Sequence, residues 1–194
     1  MTQRVVARPW TVLASKVSFA DRWIKIRTDD VRNGRGEIIP DYHVLEYPDW
    51  INVLPVLDDG RLLLVCEYRH GVRQVVLGLI AGSVAVGDSE AEAAARRELL
   101  EETGYGAKAL IRLLTCFPNA ASHSNQVSTF VAHGLHQVAE PGFEVGEEVE
   151  LVVVEADELF TGIREGRIIM QAMHLAGLYA AAHAGLISRQ PPSS

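Results

Sequence analysis

The stretch that decides the fold lies at residues 97–105, which read Arg-Glu-Leu-Leu-Glu-Glu-Thr-Gly-Tyr. On a helix, Glu98, Glu101 and Glu102 stand at positions i, i+3 and i+4, so the three carboxylates share one face. Like charges at this spacing repel one another. A divalent cation that prefers oxygen ligands would relieve that repulsion, and magnesium fits best. The plain alternative is a solvated acidic helix face.

The sequence also predicts the ends of this helix. Ser89 and Glu92 have the spacing of a capping box, which predicts that the helix begins at this point. Gly104 is typical of the residue that ends a helix in the left-handed conformation. Arg97 lies one turn before Glu101, and we expect its guanidinium to orient that carboxylate.

The rest of the chain predicts an α/β fold. Alternation of apolar and polar residues over 23–27, with a returning strand over 42–47, indicates a small N-terminal antiparallel β unit in residues 1–48. Further strands are expected at 51–57, 61–67, 75–80, 110–117, 127–133 and 149–155, and two closing helices at 156–165 and 168–183. We therefore expect a mixed β-sheet sandwiched between α-helices in residues 49–187, and a disordered tail at 188–194.

Two details of the strands can be predicted as well. Pro55 cannot donate a backbone hydrogen bond, so its strand is expected at an edge of the sheet or to be irregular. The run 62–65, which reads Leu-Leu-Leu-Val, is expected to be buried. Cys66 and Cys116 lie in similar apolar runs, which predicts buried free thiols.

Composition excludes several classes of protein. The 194 residues suit one domain with a small N-terminal addition. The formal charge is −7 and no basic run occurs, so we expect no nucleic-acid partner. No apolar run is long enough to cross a membrane, and the start of the chain lacks the apolar segment of a secretory signal. The expected setting is therefore the cytoplasm.

The region 82–105 resembles the box that defines the Nudix hydrolases. That motif is a glycine, a loop, an acidic residue, and a helix with an arginine–glutamate pair and a double glutamate. The helical half matches at every defining position. The loop half differs twice: Asp88 stands where the family has glutamate, and one extra residue separates Gly82 from Arg97.

A second likeness, to ADP-ribose and other nucleoside-diphosphate-sugar pyrophosphatases, lies outside the box. Residues 66–70 (Cys-Glu-Tyr-Arg-His) look like the strand segment that precedes the box in those enzymes. Residues 79–82 resemble their leucine-proline-alanine-glycine segment, with Ile80 replacing proline and Gly78 replacing an earlier glutamate. The N-terminal unit is similar in length and character to their dimerisation segment, which implies a homodimer.

This resemblance implies a set of site residues. Magnesium, or alternatively manganese, would be held by Glu98, Glu102, Glu147 and the backbone carbonyl of Ala81. Glu147 is the implied general base, with Glu144 and Glu148 as near rivals. The implied catalytic set is Glu98, Glu101, Glu102, Glu147 and Arg97. Arg69 and Gly82 are the implied substrate-binding residues, although a surface ion pair is the alternative role of Arg69.

The implied reaction is magnesium-dependent hydrolysis of a nucleoside diphosphate derivative by attack of water on phosphorus. An ADP-sugar such as ADP-ribose is the first candidate substrate. A GDP-sugar, a dinucleotide polyphosphate or a coenzyme is the alternative. In residues 117–125 an alanine stands at the position where ADP-ribose-cleaving relatives typically carry a proline, and Pro118 falls slightly earlier. A Nudix-fold domain that binds a nucleotide without hydrolysing it is a further alternative, but the three helix glutamates argue against it.

Overall fold

A computed structural model of the chain describes residues 8–85, 87–142 and 149–187. These residues form two compact units. The first unit holds the chain up to Tyr47 together with residues 119–125, and the second holds residues 48–118 and the chain from Gln126 onward.

The first unit is a three-stranded antiparallel sheet. Its strands are β1 (Thr11–Ala20), β2 (Lys25–Arg32) and β3 (Ile38–Glu46), in the spatial order β1-β2-β3. The loop 119–125 joins this sheet through backbone bonds, because Leu45 N–H donates to the Ser122 carbonyl at 2.7 Å and Ser124 N–H donates to the Leu45 carbonyl at 3.1 Å. The expected N-terminal antiparallel unit is confirmed, and a distant loop completes it.

The second unit contains two sheets and three helices. Its elements are β4 (Trp50–Pro55), β5 (Leu62–Arg69), β6 (Gln74–Gly78), β7 (Ile80–Ser83), α1 (Ala91–Thr103), β8 (Tyr105–Cys116), β9 (Val127–Gln137), β10 (Val149–Val154), α2 (Ala156–Arg164) and α3 (Ala172–His183). One sheet has the order β7-β4-β9-β8 and is mixed, because β4 runs parallel to β9 while the other neighbours are antiparallel. The other sheet, β10-β5-β6, is antiparallel.

The core follows from alternation along the central strands. Ile51 and Phe130 belong to the apolar cluster that includes the buried face of α1. Leu54 and Val131 belong to the cluster that includes α2 and α3. Each of these side chains is at most 1% exposed, and burial of one such side chain contributes roughly 2 kcal/mol. The mixed sheet therefore lies between helices, as the sequence predicted.

The expected edge position of the Pro55 strand is wrong. Strand β4 lies between β7 and β9, and residues 51–55 are all buried. Pairing with β7 stops at Val53, so Pro55 stands beyond the positions that must donate to that neighbour. The next residue, Val56, donates its N–H to the Ala132 carbonyl at 2.9 Å and continues the ladder with β9.

The predicted capping box is also wrong. Helix α1 begins at Ala91 after Glu90, whose backbone is extended, and no side chain caps it. Ser89 therefore stands one residue too early for the role. The other end is confirmed: Gly104 has a φ of 73° and donates its N–H to the Leu100 carbonyl at 2.8 Å.

Three smaller expectations have mixed outcomes. The run 62–65 is buried as expected. Cys66 and Cys116 are free, but both are half-buried rather than buried. The expected strand at 75–80 is two strands separated at Leu79. Among the described residues, no helix is long and apolar enough to cross a membrane.

Candidate active site

Strand β7 and helix α1 meet at Gly82 and Glu98. A Cβ atom built on Gly82 would lie 2.0 Å from both Cδ and Oε1 of Glu98. Non-bonded heavy atoms cannot approach each other this closely, so the Glu98 carboxylate can lie against strand β7 only because residue 82 is a glycine. The structure thus gives Gly82 a steric role beside Glu98, a role that the sequence motif did not specify.

Arg97 ties the loop of the box to the helix. Its guanidinium donates to Asp88 Oδ2 and to the Ser83 carbonyl, each at 3.0 Å. It also donates to Glu98 Oε1 at 2.9 Å and to Glu101 Oε2 at 3.0 Å. The expected contact between Arg97 and Glu101 is present. The Arg97 guanidinium therefore holds the Glu98 and Glu101 carboxylates and the loop at Asp88 together.

Asp88 completes this arrangement from the loop side. Its carboxylate accepts the bond from Arg97 and a second from the Ala85 N–H at 2.8 Å. The bond from Arg97 is the main cause that lowers the pKa of Asp88, and the same bond is the main cause that raises the pKa of Arg97. Both groups are therefore charged at neutral pH. The shorter acidic residue and the longer loop still allow the arginine to be held.

A cavity of about 510 Å³ opens between these elements. It is lined by Ala81, Gly82, Ser83, Arg97, Glu98, Glu101, Glu102 and Gly142. Six of the sequence-predicted site residues thus lie around one space. Two candidates remain. Arg69 lines a neighbouring cavity, and Glu147, with its rivals Glu144 and Glu148, lies outside the described residues.

The oxygen donors at this cavity fit a hard divalent cation. Within residues 8–85, 87–142 and 149–187, no group of three or more His, Cys, Asp or Glu side chains is placed to hold a metal ion. Magnesium needs no such cage, since one or two carboxylates, waters and substrate phosphates usually complete its shell. Glu98, Glu102 and the Ala81 carbonyl offer oxygen atoms of this kind. The Glu98 carboxylate occupies the space that a Cβ on Gly82 would fill, so it lies directly against strand β7.

Arg69 lines a neighbouring cavity rather than the carboxylate cavity. This second space, of about 240 Å³, shares residues 81–83 with the first and is also lined by Trp50, Ile51, Arg69, Gln171 and Met173. Arg69 forms an ion pair with Glu67, yet its Nε is buried without a hydrogen-bond partner among the described residues. Both readings of Arg69 therefore have support, because the ion pair exists and the side chain borders the site.

His174 is a residue that sequence reasoning missed. Its ring is fully buried, and Nδ1 accepts a hydrogen bond from the Leu79 N–H at 3.3 Å. A Cβ on Gly78 would lie 2.9 Å from that nitrogen, so the ring occupies the space beside this glycine. Burial, followed by the charge of Arg69, lowers the pKa of His174 to about 4. The signal in the sequence was Gly78, which replaces a glutamate.

Comparison with protein families identifies the second unit. The family model for the NUDIX domain matches residues 47–172. The chain belongs to the Nudix family. A second model, the nucleoside diphosphate sugar hydrolase N-terminal domain, matches residues 10–45. The two family models, together with the hydrolases among the relatives, identify this Nudix protein as a pyrophosphohydrolase.

Individual relatives carry related descriptions. The chain is 29% identical over 143 residues to an ADP-ribose pyrophosphatase of Bacillus subtilis (strain 168), covering 74% of this chain and 76% of that protein. It is 28% identical over 183 residues to a CMP-5'-(N-acetyl-N-hydroxy-3-aminopropyl)phosphonate hydrolase of Streptomyces rubellomurinus, covering 94% and 86%. The crystal structure of an ADP compounds hydrolase superposes with a TM-score of 0.78 at 22% identity, over 92% and 95% of the two chains, and shows the same fold.

Proposed function

We propose that this Nudix protein hydrolyses the diphosphate bond of a nucleoside diphosphate derivative with the help of magnesium. An ADP-sugar such as ADP-ribose is the first candidate. The observation that carries the proposal is the cavity in which Glu98, Glu101 and Glu102 face the Ala81–Ser83 segment, with Arg97 bonded to both elements. The ADP-ribose pyrophosphatase among the relatives supports the choice of substrate.

The charges of the site residues determine their proposed roles. Glu98, Glu102 and the Ala81 carbonyl would hold magnesium, which neutralises the charge of the diphosphate when bound. Arg97 keeps Glu98 and Glu101 in place. Arg69, at the neighbouring cavity, would bind a phosphate oxygen through a charge-assisted hydrogen bond. Water attacks one phosphorus atom, the bridging phosphorus–oxygen bond breaks, and two phosphomonoesters leave.

The attacking water must lose a proton, and Glu147 is the proposed base and a further metal ligand. Glu144 and Glu148 remain its rivals. The proposal is supported by Gly142, the last described residue before this segment, which lines the carboxylate cavity and donates its N–H to the Glu101 carbonyl at 2.9 Å.

We also propose an organisation and a setting. Residues 1–48 would form the dimerisation segment and 49–187 the catalytic domain; the tail expected at 188–194 lies outside the described residues. Every residue of the edge strand β1 is exposed, including Val12, Leu13, Val17 and Phe19, and an exposed apolar edge strand favours pairing with a second chain. The free thiols of Cys66 and Cys116 suit the cytoplasm.

A substrate panel tests the proposal. The purified chain is mixed with ADP-ribose, a GDP-sugar, a dinucleotide polyphosphate, a coenzyme with a diphosphate bridge, and a CMP-linked phosphonate. Release of nucleoside monophosphate is measured with magnesium, with manganese and with excess chelator. We expect metal-dependent release from at least one compound. A chain that binds these compounds but cleaves none would instead be a nucleotide-binding module.

A further inference from the structure

A third cavity follows the two at the active site. It has a volume of about 720 Å³ and lies between the β5–β6 hairpin and the segment before α3. It shares Arg69 and Gln171 with the 240 Å³ cavity, which shares residues 81–83 with the carboxylate cavity. Three adjoining spaces therefore lead from the helix glutamates past Arg69. We call the third one the hairpin cavity.

The walls of the hairpin cavity are held in place before any ligand arrives. In the β5–β6 turn, Val72 N–H donates to the Arg69 carbonyl and Arg73 N–H donates to the His70 carbonyl, each at 3.2 Å. On the other wall, Met170 is only 7% exposed and belongs to the apolar core. A site with preformed walls binds a ligand with little loss of conformational entropy.

The lining combines apolar side chains with amides. Val72, Val76, Ile169 and Met170 provide the apolar surface. Gln74 and Gln171 provide side-chain amides that both donate and accept hydrogen bonds. Val72 is 61% exposed and Ile169 is 69% exposed, so large apolar groups stand in water at the rim. Such groups contribute little to folding and are available to a ligand.

We propose that the hairpin cavity binds the nucleobase of the substrate, while the diphosphate extends past Arg69 toward Glu98. This inference rests on the proposed function. A nucleobase has a flat apolar face for the aliphatic side chains and a polar edge that glutamine amides can read. A sugar carries hydroxyl groups on all sides, and contact with apolar walls would leave several of them without hydrogen bonds. A volume of this order suits a nucleoside-sized group.

Calorimetric binding to the full chain tests the proposal without any turnover. AMP, GMP, CMP and UMP are titrated in the presence of magnesium, and ribose 5-phosphate serves as the ligand that lacks a base. The nucleotide that binds most tightly is then titrated into the double variant Val72→Asn/Ile169→Asn. Val75→Asn is the matched control, because Val75 is 65% exposed on the same hairpin and does not line the cavity.

We expect at least one nucleotide to bind more tightly than ribose 5-phosphate. The double variant should weaken that nucleotide by at least about fivefold through loss of apolar contact, and leave ribose 5-phosphate unchanged. Val75→Asn should change neither. Unchanged nucleotide affinity in the double variant, an equal loss for both ligands, or no advantage of any nucleotide over ribose 5-phosphate would each overturn the proposal. Failure of the proposed function is a separate outcome: nucleotide binds in this cavity, but no diphosphate compound is cleaved.

Discussion

At the scale of single residues, Glu98 and Glu102 carry the largest share of the proposed chemistry. We predict that Glu98→Gln and Glu102→Gln each lower kcat by at least about a hundredfold, because each removes a charge that the metal needs to stabilise the transition state. The measurement is kcat at saturating magnesium, with circular dichroism to verify the fold. Glu92→Gln is the control, since Glu92 lies on the same helix and pairs with Arg96 at 2.8 Å. Near-normal turnover in either site variant would contradict the mechanism.

Glu147 is the residue to which we assign the proton from water. Removal of a general base typically costs about a hundredfold to ten-thousandfold in rate. We therefore expect Glu147→Gln to lose more activity than Glu144→Gln or Glu148→Gln, measured as kcat across a range of pH. If Glu144 or Glu148 proves to be the sensitive position, the base has been assigned to the wrong glutamate of this segment.

His174 makes stability depend on pH. Its folded-state pKa of about 4 lies below the ordinary value of 6.5, so the unfolded chain binds the extra proton first. The neutral ring's contribution is complete above pH 6.5 and is lost as the pH falls toward 4. We predict that the free energy of unfolding falls by about 1 kcal/mol per pH unit in this window because of His174 alone. Urea unfolding at pH 7, 6 and 5 measures it.

The control for His174 is the variant His174→Asn, which keeps an acceptor near the Leu79 N–H but does not titrate. Its unfolding free energy should fall less steeply with acid than that of the native chain. Equal slopes for the two proteins would show that His174 carries no such linkage.

The close contact between Gly78 and His174 can be tested in the same way. Gly78→Ala should lower the free energy of unfolding of the native chain, because the added Cβ would lie 2.9 Å from the ring nitrogen. The same substitution should lower it less in the variant His174→Ala, which has no ring at this place.

At the scale of elements, strand β7 and helix α1 approach each other closely because Gly82 has no side chain. We predict that Gly82→Ala displaces the Glu98 carboxylate and lowers kcat by at least about tenfold, since small displacements of catalytic groups are costly. Gly87→Ala is the matched control, because a Cβ on Gly87 would meet nothing within 4 Å. The two variants are compared by kcat and by thermal unfolding. Equal activity of Gly82→Ala and Gly87→Ala would refute this role of Gly82.

The elements also show which features a sequence can predict. Helix α1 and its end at Gly104 were predictable, because the acidic spacing and the glycine are local signals. The central position of β4 in its sheet was not predictable. Pro55 is tolerated there because the pairing of β4 with β7 stops at Val53, and the sequence of β4 does not show where a neighbouring strand ends. The break at Leu79 depends on His174, which lies on a helix 95 residues away. Long-range contacts of this kind leave no local pattern.

The same distinction holds for the candidate site. The motif brought together Glu98, Glu101, Glu102, Arg97 and Gly82, because their spacing is fixed by one helix and one loop. It gave no indication that the loop 119–125 bonds to β3, or that the hairpin cavity adjoins Arg69. Those relations arise from tertiary packing and could not be predicted in advance, whereas the box and the two segments before it supplied residues that line the cavities, Ala81 and Arg69 among them.

At the scale of the whole molecule, the feature that predicts assembly is the exposed strand β1 of the first unit. A three-stranded sheet alone is marginally stable, and β1 leaves one edge of this sheet unpaired. Two-fold dimers are the commonest soluble oligomers, and in such a dimer the same strand would be buried on both chains. We therefore predict a dimer in solution at micromolar concentration, measured by light scattering coupled to size exclusion. Deletion of residues 1–46 should weaken both dimerisation and substrate binding.

That deletion also removes the strand to which the loop 119–125 is bonded, so a milder variant separates the two effects. Leu13 is 43% exposed and Val17 is 56% exposed, and glutamates at both positions would place charges on the edge strand without disturbing a core. We expect Leu13→Glu/Val17→Glu to be monomeric and to have a raised KM. Val138→Glu, at a position 58% exposed in the second unit, should remain dimeric. A full-length chain that is monomeric with normal activity would refute both the dimer and the proposed part of the first unit in substrate binding, and would leave that unit as a sheet that serves only its own chain.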